Sequence, residues 1–443
     1  MKIAIVYPNI NLSIIRKRGT EGAWIQHGIA SIISYADELG EKIDLIDLRR
    51  VSKWKDFENL VKDYDLVGYS VTTLDYENAI QAIKIQKNIN KNSIAIVGGI
   101  DPSIDSKKYV DNPLIDSVIV GEGEIAFYDI IKKVKNNMKL EECIIGEKIN
   151  DLDSIKFIDR SLWKKEPPYF HSGLKEPFFT LIASRSCMYN CRFCQPSTKK
   201  IFGKKERFRS PENFVSEIAM LHKKYGLKSF YILDDNAFGN RDWLKGFVEH
   251  YTSQNIDAEF MVSARADNIY KNRDLLPKLK KLGLKWVNVG FESGSDKILR
   301  FIKKGATVEL NYRAAKILHD NNINILAFLL FGFPEETKKD INSSFDFIRD
   351  IKPELTDPTT YSPFPGTDLY KEYKERDLIY PGATSSIAAP QSIKIKNVDY
   401  LYINWIIFRI GFFTSRSLVE KFKKIIYFFV AGTNILIQKI KLN

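Results

Sequence analysis

Three of the four cysteines in this 443-residue chain fall close together, as Cys187-Met-Tyr-Asn-Cys191-Arg-Phe-Cys194. Thiolates spaced C-x3-C-x2-C on one loop can bind three irons of a cubane cluster and leave the fourth iron without a protein ligand. An open iron of that kind can chelate the amino and carboxylate groups of a substrate molecule. Phe193, between the second and third thiolates, would shield the cluster from water. Two plainer readings compete, a zinc site and a four-cysteine structural cluster. The fourth ligands on offer are distant, Cys143 and His171, and Cys143 in EECIIGEK reads as an ordinary semi-buried residue. So few cysteines in so long a chain make no disulfide framework, which points to a reducing cytoplasm.

A loop that holds a cluster needs rigid elements around it. Short apolar runs FFTLIAS (178–184), SFYILDD (229–235), AEFMVSAR (258–265), WVNVGFES (286–293), NILAFLLFG (324–332) and LTDPTTYS (355–362) alternate with helical patterns near 210–225, 242–253, 272–282, 309–321 and 337–350. Six strand–helix units predict a (β/α)6 partial barrel over 176–370, with function at the carboxyl ends of its strands and the cysteine loop directly after the first. Upstream the same alternation runs through KIAIVYP (2–8), IDLIDL (43–48), DLVGYSV (65–71), SIAIVGG (93–99) and DSVIVGEG (116–123). It predicts an α/β domain over 1–140, a doubly wound parallel sheet of Rossmann-like type. Residues 141–175, with Pro167 and Pro168, read as a linker, and 371–443 as a helical extension.

Composition excludes some functions. The net charge of +12 comes from lysines spread over helix-like stretches such as KKVKNNMK, with no basic block interleaved with aromatics, so nucleic acid is not expected as a partner. The start MKIAIVYPNI has no charged region followed by a long apolar core, as a secretory signal would. The apolar runs LYINWIIFRIGFF (401–413) and IIYFFVAGTNILI (425–437) are shorter than the roughly 18–20 residues a membrane span needs. Over 401–443, however, seven cations face the single carboxylate of Glu420. With Trp405, Phe408, Phe412, Phe413, Tyr427 and Phe428 among them, the tail either packs its aromatics on the barrel and caps its open edge, or lies on an anionic membrane surface.

The cysteine loop and the strand ends after it resemble the radical S-adenosylmethionine (SAM) superfamily over about 178–370. The carriers are ASRSCMYNCRFC (183–194), LDDNAF (233–238), SARAD (263–267), GFESGSDKILRFIKKGAT (290–307), FGFPEET (331–337) and SPFPGT (362–367), with Ser186 where that family usually has glycine. The resemblance implies a [4Fe-4S] cluster on Cys187, Cys191 and Cys194, SAM on its open iron, and an external electron donor of flavodoxin or ferredoxin type. It also gives roles to residues at the strand ends. Phe193 and Ser263 would line the SAM pocket, and Asp234 and Asp235 would accept bonds from the SAM ammonium. Arg265 would pair with the SAM carboxylate and Glu292 with the ribose hydroxyls. Plainer roles are helix capping for the two aspartates and a mutual ion pair for Arg265 and Glu292.

The first domain resembles the cobalamin-binding domain fused to one large radical SAM class. HGIASIISYADELGEKIDLIDL (27–48), DLVGYSVTT (65–73), IVGGIDPS (96–103) and SVIVGEGEIAF (117–127) carry the likeness. It implies cobalamin beside Ser70, Thr72, Thr73, Gly98, Gly99, Gly121, Glu122, Gly123 and Glu124. The Asp-x-His-x-x-Gly loop that supplies a lower histidine ligand in other cobalamin proteins is absent, and Asp101 stands where a histidine is usual. A Rossmann-like domain that no longer binds a corrin is the plainer alternative. A methylthiotransferase is excluded, because its second cluster needs three further cysteines and the N-terminal region has Cys143 alone. The activity implied is cobalamin-dependent methyl transfer to an unactivated carbon or phosphorus of a small molecule, lipid or peptide. Alternatives are a cobalamin-dependent radical cyclisation or rearrangement, and a non-catalytic cobalamin or cluster sensor.

Overall fold

The computed structural model describes residues 1–9, 24–51, 53–163, 172–194, 197–383, 393–415 and 417–442. His171, Pro167 and Pro168, which the sequence singles out, lie outside them, as does Arg416, one of the seven cations of the tail. The chain divides into two compact units. The first comprises 1–167 together with 184–188 and 197–213, and the second holds 168–183, 189–196 and 214–443.

In the first unit, β1 (Ile3–Tyr7), β2 (Asp44–Asp47), β3 (Leu66–Ser70), β4 (Ile94–Gly98), β5 (Ser117–Val120) and β6 (Cys143–Ile145) form one parallel sheet in the order β2-β1-β3-β4-β5-β6. Successive strand residues belong to different cores, as a period of two requires. Ala4, Val6, Val67, Tyr69, Ala95, Val97 and Val118 pack on one face, and Ile3, Ile5, Tyr7, Leu66, Ile96 and Ile119 on the other. Both faces are thus covered, as expected of a doubly wound sheet. The segment read as a linker begins with β6, which extends the sheet beside β5 through Val118↔Cys143. Three residues are too short to show alternation, and Cys143 is exposed there rather than semi-buried.

The second unit holds β7 (Phe178–Leu181), which starts its sheet. Next in the chain come two short strands of the first unit, β8 (Ser184–Arg185) and β9 (Arg207–Phe208), paired antiparallel. The second sheet continues with β10 (Ser229–Ile232), β11 (Glu259–Ala264), β12 (Leu284–Glu292), β13 (Asn324–Phe331) and β14 (Leu355–Thr360). Its order, β14-β13-β12-β11-β10-β7, is parallel throughout and gives the expected six strand–helix units. Aromatic rings fill its helix-covered face, where Phe230 stacks on Phe260 at 5.0 Å and Trp243 on Phe247 at 5.7 Å.

The extension is helical, as its sequence suggests. The helix Tyr400–Thr414 buries Ile403, Ile406 and Ile410, a stripe at helical spacing, and Thr414 meets Thr356 of the edge strand β14 at 3.2 Å. Its aromatics face two ways, and Trp405 and Phe408 pack on Phe428 of the helix Leu418–Leu442. Phe413 also meets Phe345 of the helix Lys338–Ile351 at 6.5 Å, and the Tyr402 hydroxyl donates to Asn342 of that helix at 2.9 Å, so aromatics of the first helix pack on the barrel as well as on the second helix.

Candidate functional site

The cysteine loop leaves β7 beside β10, with Leu181 opposite Ile232. The Asp234 carboxylate accepts the Ala183 N–H at 2.8 Å and is buried, so it braces the start of the loop. Ser186 sits at φ +77°, a left-handed conformation that glycine adopts without cost. Its hydroxyl donates to the Gly203 carbonyl at 2.6 Å, which tightens the turn and helps offset the strain. Of the three thiols, Cys191 is buried, Cys187 half-buried and Cys194 exposed. Among the described residues no three His, Cys, Asp or Glu side chains converge as ligands of one metal ion. Three thiolates of a cubane bind three different irons, so a single-ion geometry is not what the loop must offer.

Beyond the loop, the second unit encloses a cavity of about 630 Å³, bordered by Phe193, Asp235, Ser263, Arg265 and Glu292. Five of the six residues assigned to the SAM pocket thus meet there, and Asp234 does not. Neither aspartate caps the next helix, because Asn240 accepts the Trp243 N–H instead. Asp235 is open to the cavity yet hemmed in by protein, and that burial raises its pKa. Ser263 shares a 2.6 Å hydrogen bond with the Tyr231 hydroxyl, which also accepts from Asn288 at 3.0 Å. Asn288 borders the cavity too, and its Oδ1 is a buried acceptor with no hydrogen-bond partner.

Arg265 follows β11, and its guanidinium is fixed on several sides. Its Nη1 donates to Cys191 Sγ at 3.4 Å, its Nε to Asp267 at 3.0 Å and its Nη2 to the Lys304 carbonyl. It also lies 3.6 Å from the centroid of the Tyr189 ring. Burial opposes the charge, but Asp267, Cys191 and Tyr189 outweigh it, so its pKa is raised.

Glu292 ends β12 at φ +64°, where the register with β13 slips between Gly290 and Glu292. Such a conformation in a non-glycine residue stores backbone strain, and it occurs here at a cavity wall. The carboxylate accepts the Lys304 ammonium at 2.9 Å. A Cβ on Gly290 would stand 2.6 Å from Glu292 Oε1 and 2.9 Å from Lys304 Nζ, so glycine there leaves room for the pair. Arg265 and Glu292 therefore have separate partners, Asp267 and Lys304, rather than each other. Sequence reasoning missed Lys304, Asn288 and Lys394, all bordering the cavity. Lys304 was within reach, since it belongs to the run GFESGSDKILRFIKKGAT.

In the first unit, the residues assigned to the corrin lie after β3, β4 and β5. Gly99 and Gly121 have φ of +110° and +97°, which favour glycine. A Cβ on Gly99 would meet the Val71 backbone at 2.8 Å, and one on Gly123 the Ile32 side chain at 2.8 Å. The side chains around them are engaged inside the unit. Thr72 donates to Asp75 at 2.6 Å and Thr73 to Asp101 at 2.9 Å. Asp101 also accepts the Tyr109 hydroxyl and the Lys108 ammonium, both at 2.5 Å. Glu122 and Glu124 form a buried cluster with Arg185 of β8 and Arg207 of β9, at 2.7 Å and 2.5 Å to Arg185. Their carboxylates are thereby removed from any ligand-facing role, and the carriers left are Ser70 and the glycine backbones. At the helix His27–Glu38, no heavy atom of the described residues lies within 4 Å of where a Cβ on Gly28 would stand.

Two known families match these two regions. The Radical SAM superfamily matches residues 181–348 and the B12 binding domain family residues 16–131. An uncharacterised methyltransferase of Pyrococcus horikoshii is 29% identical over 393 residues, covering 84% of this chain and 83% of its own. An anaerobic magnesium-protoporphyrin IX monomethyl ester cyclase of Rubrivivax gelatinosus is 26% identical, covering 70% of this chain and 59% of its own. The radical SAM methyltransferase TsrM of Kitasatospora setae, solved with cobalamin and a [4Fe-4S] cluster, shares the fold at a TM-score of 0.65 and 16% identity. That alignment covers 85% of this chain and 78% of TsrM. The cofactors assigned by the two domains are a [4Fe-4S] cluster, SAM and cobalamin.

Proposed function

We propose that this chain, which belongs to the radical SAM superfamily and carries a B12 binding domain, transfers a methyl group to an unactivated carbon or a phosphorus atom of its substrate. The observation that carries the reading is one cavity bordered by Arg265, with its hydrogen bond to Cys191, and by the strained Glu292. Cys187, Cys191 and Cys194 would hold the cluster, and Phe193 would keep water from it. Arg265 would orient the SAM carboxylate, Asp235 its ammonium, Glu292 its ribose and Ser263 the adjoining wall, with Lys304 holding Glu292 in place. Ser70, Gly98, Gly99, Gly121 and Gly123 would bound the corrin through backbone and hydroxyl contacts. The bound groups supply one-electron reduction of SAM and a carried methyl group. A flavodoxin- or ferredoxin-type protein would provide the electron.

The test uses holoenzyme, reductant and SAM with a deuterated methyl group, supplied with a cell extract of small molecules. Methyl transfer predicts that S-adenosylhomocysteine and 5′-deoxyadenosine form together while label enters one metabolite. 5′-Deoxyadenosine with an unlabelled product and no S-adenosylhomocysteine would replace methyl transfer by cyclisation or rearrangement.

We also propose peripheral contact with an anionic membrane. No helix among the described residues is long and apolar enough to cross a membrane. Yet the helix Leu418–Leu442 exposes Leu418, Val419, Phe422, Phe429 and Val430, with Lys423 and Lys424 exposed among them. Apolar and basic residues together suit an anionic lipid surface. Flotation with phosphatidylglycerol vesicles at low salt should carry the protein upward and high salt should release it. Protein left in the soluble fraction at low salt would overturn the idea.

A further inference from the structure

Lys394 belongs to none of the motifs that identify the cofactor sites, yet it borders the same cavity. It is 1% exposed, and its chain segment is tightly held. The Tyr400 hydroxyl accepts both the Lys394 and Ile395 N–H groups, and the Tyr380 N–H donates to the Lys394 carbonyl. Ile395 forms an antiparallel bridge with Ile379. The ammonium is therefore placed by its backbone rather than swinging on a loose chain.

Its polar partner is the Ser362 hydroxyl at 2.7 Å, a neutral group. An ammonium has three donors and a full charge, so the one hydroxyl it meets among the described residues leaves it undersatisfied. Among the described residues no carboxylate pairs with it, although Asp235 and Glu292 border the cavity and Glu292 is engaged with Lys304. The segment 384–392 just before it in sequence, TSSIAAPQS, contains no aspartate or glutamate. Burial pushes its pKa down to about 8. Phe328, Leu330 and Phe364 supply apolar wall to the same cavity.

We infer that the substrate of this cavity is an anion, a carboxylate or phosphate ester on an apolar body, and that Lys394 anchors the charged end. The inference rests on the reading above, in which SAM takes Asp235, Arg265 and Glu292, and it adds the substrate class. An anion would supply the missing charge and accept the remaining ammonium donors, while its body replaces water against the aromatic walls. Lys394 then selects against neutral and cationic analogues, which would leave its charge buried and unpaired.

Octanoate, octyl phosphate, octan-1-ol and octyltrimethylammonium serve as probes, measured by calorimetry on anaerobic SAM-loaded holoenzyme. Octanoate or octyl phosphate should bind at least about tenfold tighter than octan-1-ol, and octyltrimethylammonium should not bind; which anion wins separates carboxylate from phosphate ester. Lys394→Met should abolish the preference while keeping SAM affinity within about twofold of wild type. Because it removes a buried charge it should not lower Tm, and Ser362→Ala, which keeps the ammonium, should retain the anion preference. Equal binding of anion and alcohol to wild type would overturn the inference. So would a Lys394→Met protein that loses SAM affinity without any probe present, since Lys394 would then belong to the SAM site. Formation of 5′-deoxyadenosine on reduction is scored separately, so a missing anion preference in protein that cleaves SAM sinks this inference alone.

Discussion

The carboxyl ends of the two sheets use acidic side chains in opposite ways. After β3, β4 and β5, Asp101, Glu122 and Glu124 are spent inside the unit: Asp101 on Tyr109 and Lys108, the two glutamates on Arg185 and Arg207. After β10 and β12, Asp235 and Glu292 front a cavity instead. The first arrangement leaves recognition to backbone and shape, which suits a large ring approaching glycines. The second leaves it to charge, which suits a small zwitterion held at several points. The same residue types at equivalent fold positions thus serve stability in one unit and binding in the other.

The most drastic test lies in the cysteines. Cys187→Ala, Cys191→Ala or Cys194→Ala should each abolish 5′-deoxyadenosine formation and deplete bound iron, whereas Cys143→Ala, on the exposed strand β6, should leave both intact. Iron loss in Cys143→Ala alone would mean a four-cysteine structural cluster.

Next in size is the contrast between carboxylates. Glu122→Gln takes the carboxylate from Arg207 and leaves Arg185 with Glu124 alone, which should cost about 3–5 kcal/mol of stability, read from denaturant unfolding. For Glu124, burial alone would raise the carboxyl, but the Arg185 guanidinium outweighs it and holds the pKa below the usual carboxylate value. Its stabilisation is present above the unfolded carboxylate pKa and lost as pH falls through the depressed folded value. Acidification should therefore speed hydrogen exchange in β5, and Glu124→Gln should remove that dependence. Glu292→Ala and Arg265→Ala should instead weaken SAM binding, each by about 1.5–3 kcal/mol in a titration, with less loss of stability because the cavity lets water reach the orphaned partner. A larger fall in Tm at Glu292 than at Glu122 would erase the contrast.

A smaller effect comes from Lys394. Its folded pKa of about 8 lies below the ordinary lysine value, so the unfolded chain binds more protons above pH 8. Stability should rise as pH climbs from about 8 toward about 10.4, and Lys394→Met should flatten that rise. Smallest of all is Ser186→Gly, which relieves a left-handed conformation but loses the bond to Gly203. The two terms, about 1 kcal/mol each, should nearly cancel in unfolding midpoints.

How much of this was legible in the sequence depends on how far apart the interacting residues lie. Strand–helix alternation is local, and it predicted both parallel sheets. The cysteine spacing and the motifs around Arg265 and Glu292 are local too. Asp234 and Asp235 show where that ends: adjacent and chemically identical, they part in the turn after β10, one accepting the Ala183 N–H and the other bordering the cavity. Glu122 and Glu124 read as ligand-side residues because their partner Arg185 lies some sixty positions away. Lys394 was invisible for a similar reason, since its surroundings are set by Ser362 and Tyr400 rather than by any motif.

The arginines of β8 and β9 make the first unit discontinuous in sequence. A gene fragment ending near residue 140 would encode five of the six strands of its parallel sheet but neither Arg185 nor Arg207. Glu122 and Glu124 would then face a dry interior without counter-ions, a state that shifts toward protonation or unfolding. Modularity suggested by the fold is thus denied by the electrostatics: this sheet cannot be lifted out or swapped between proteins as a cassette unless the arginine hairpin travels with it. Recombination that respected the apparent border near residue 140 would break the unit, while one that carried 184–213 along would preserve it.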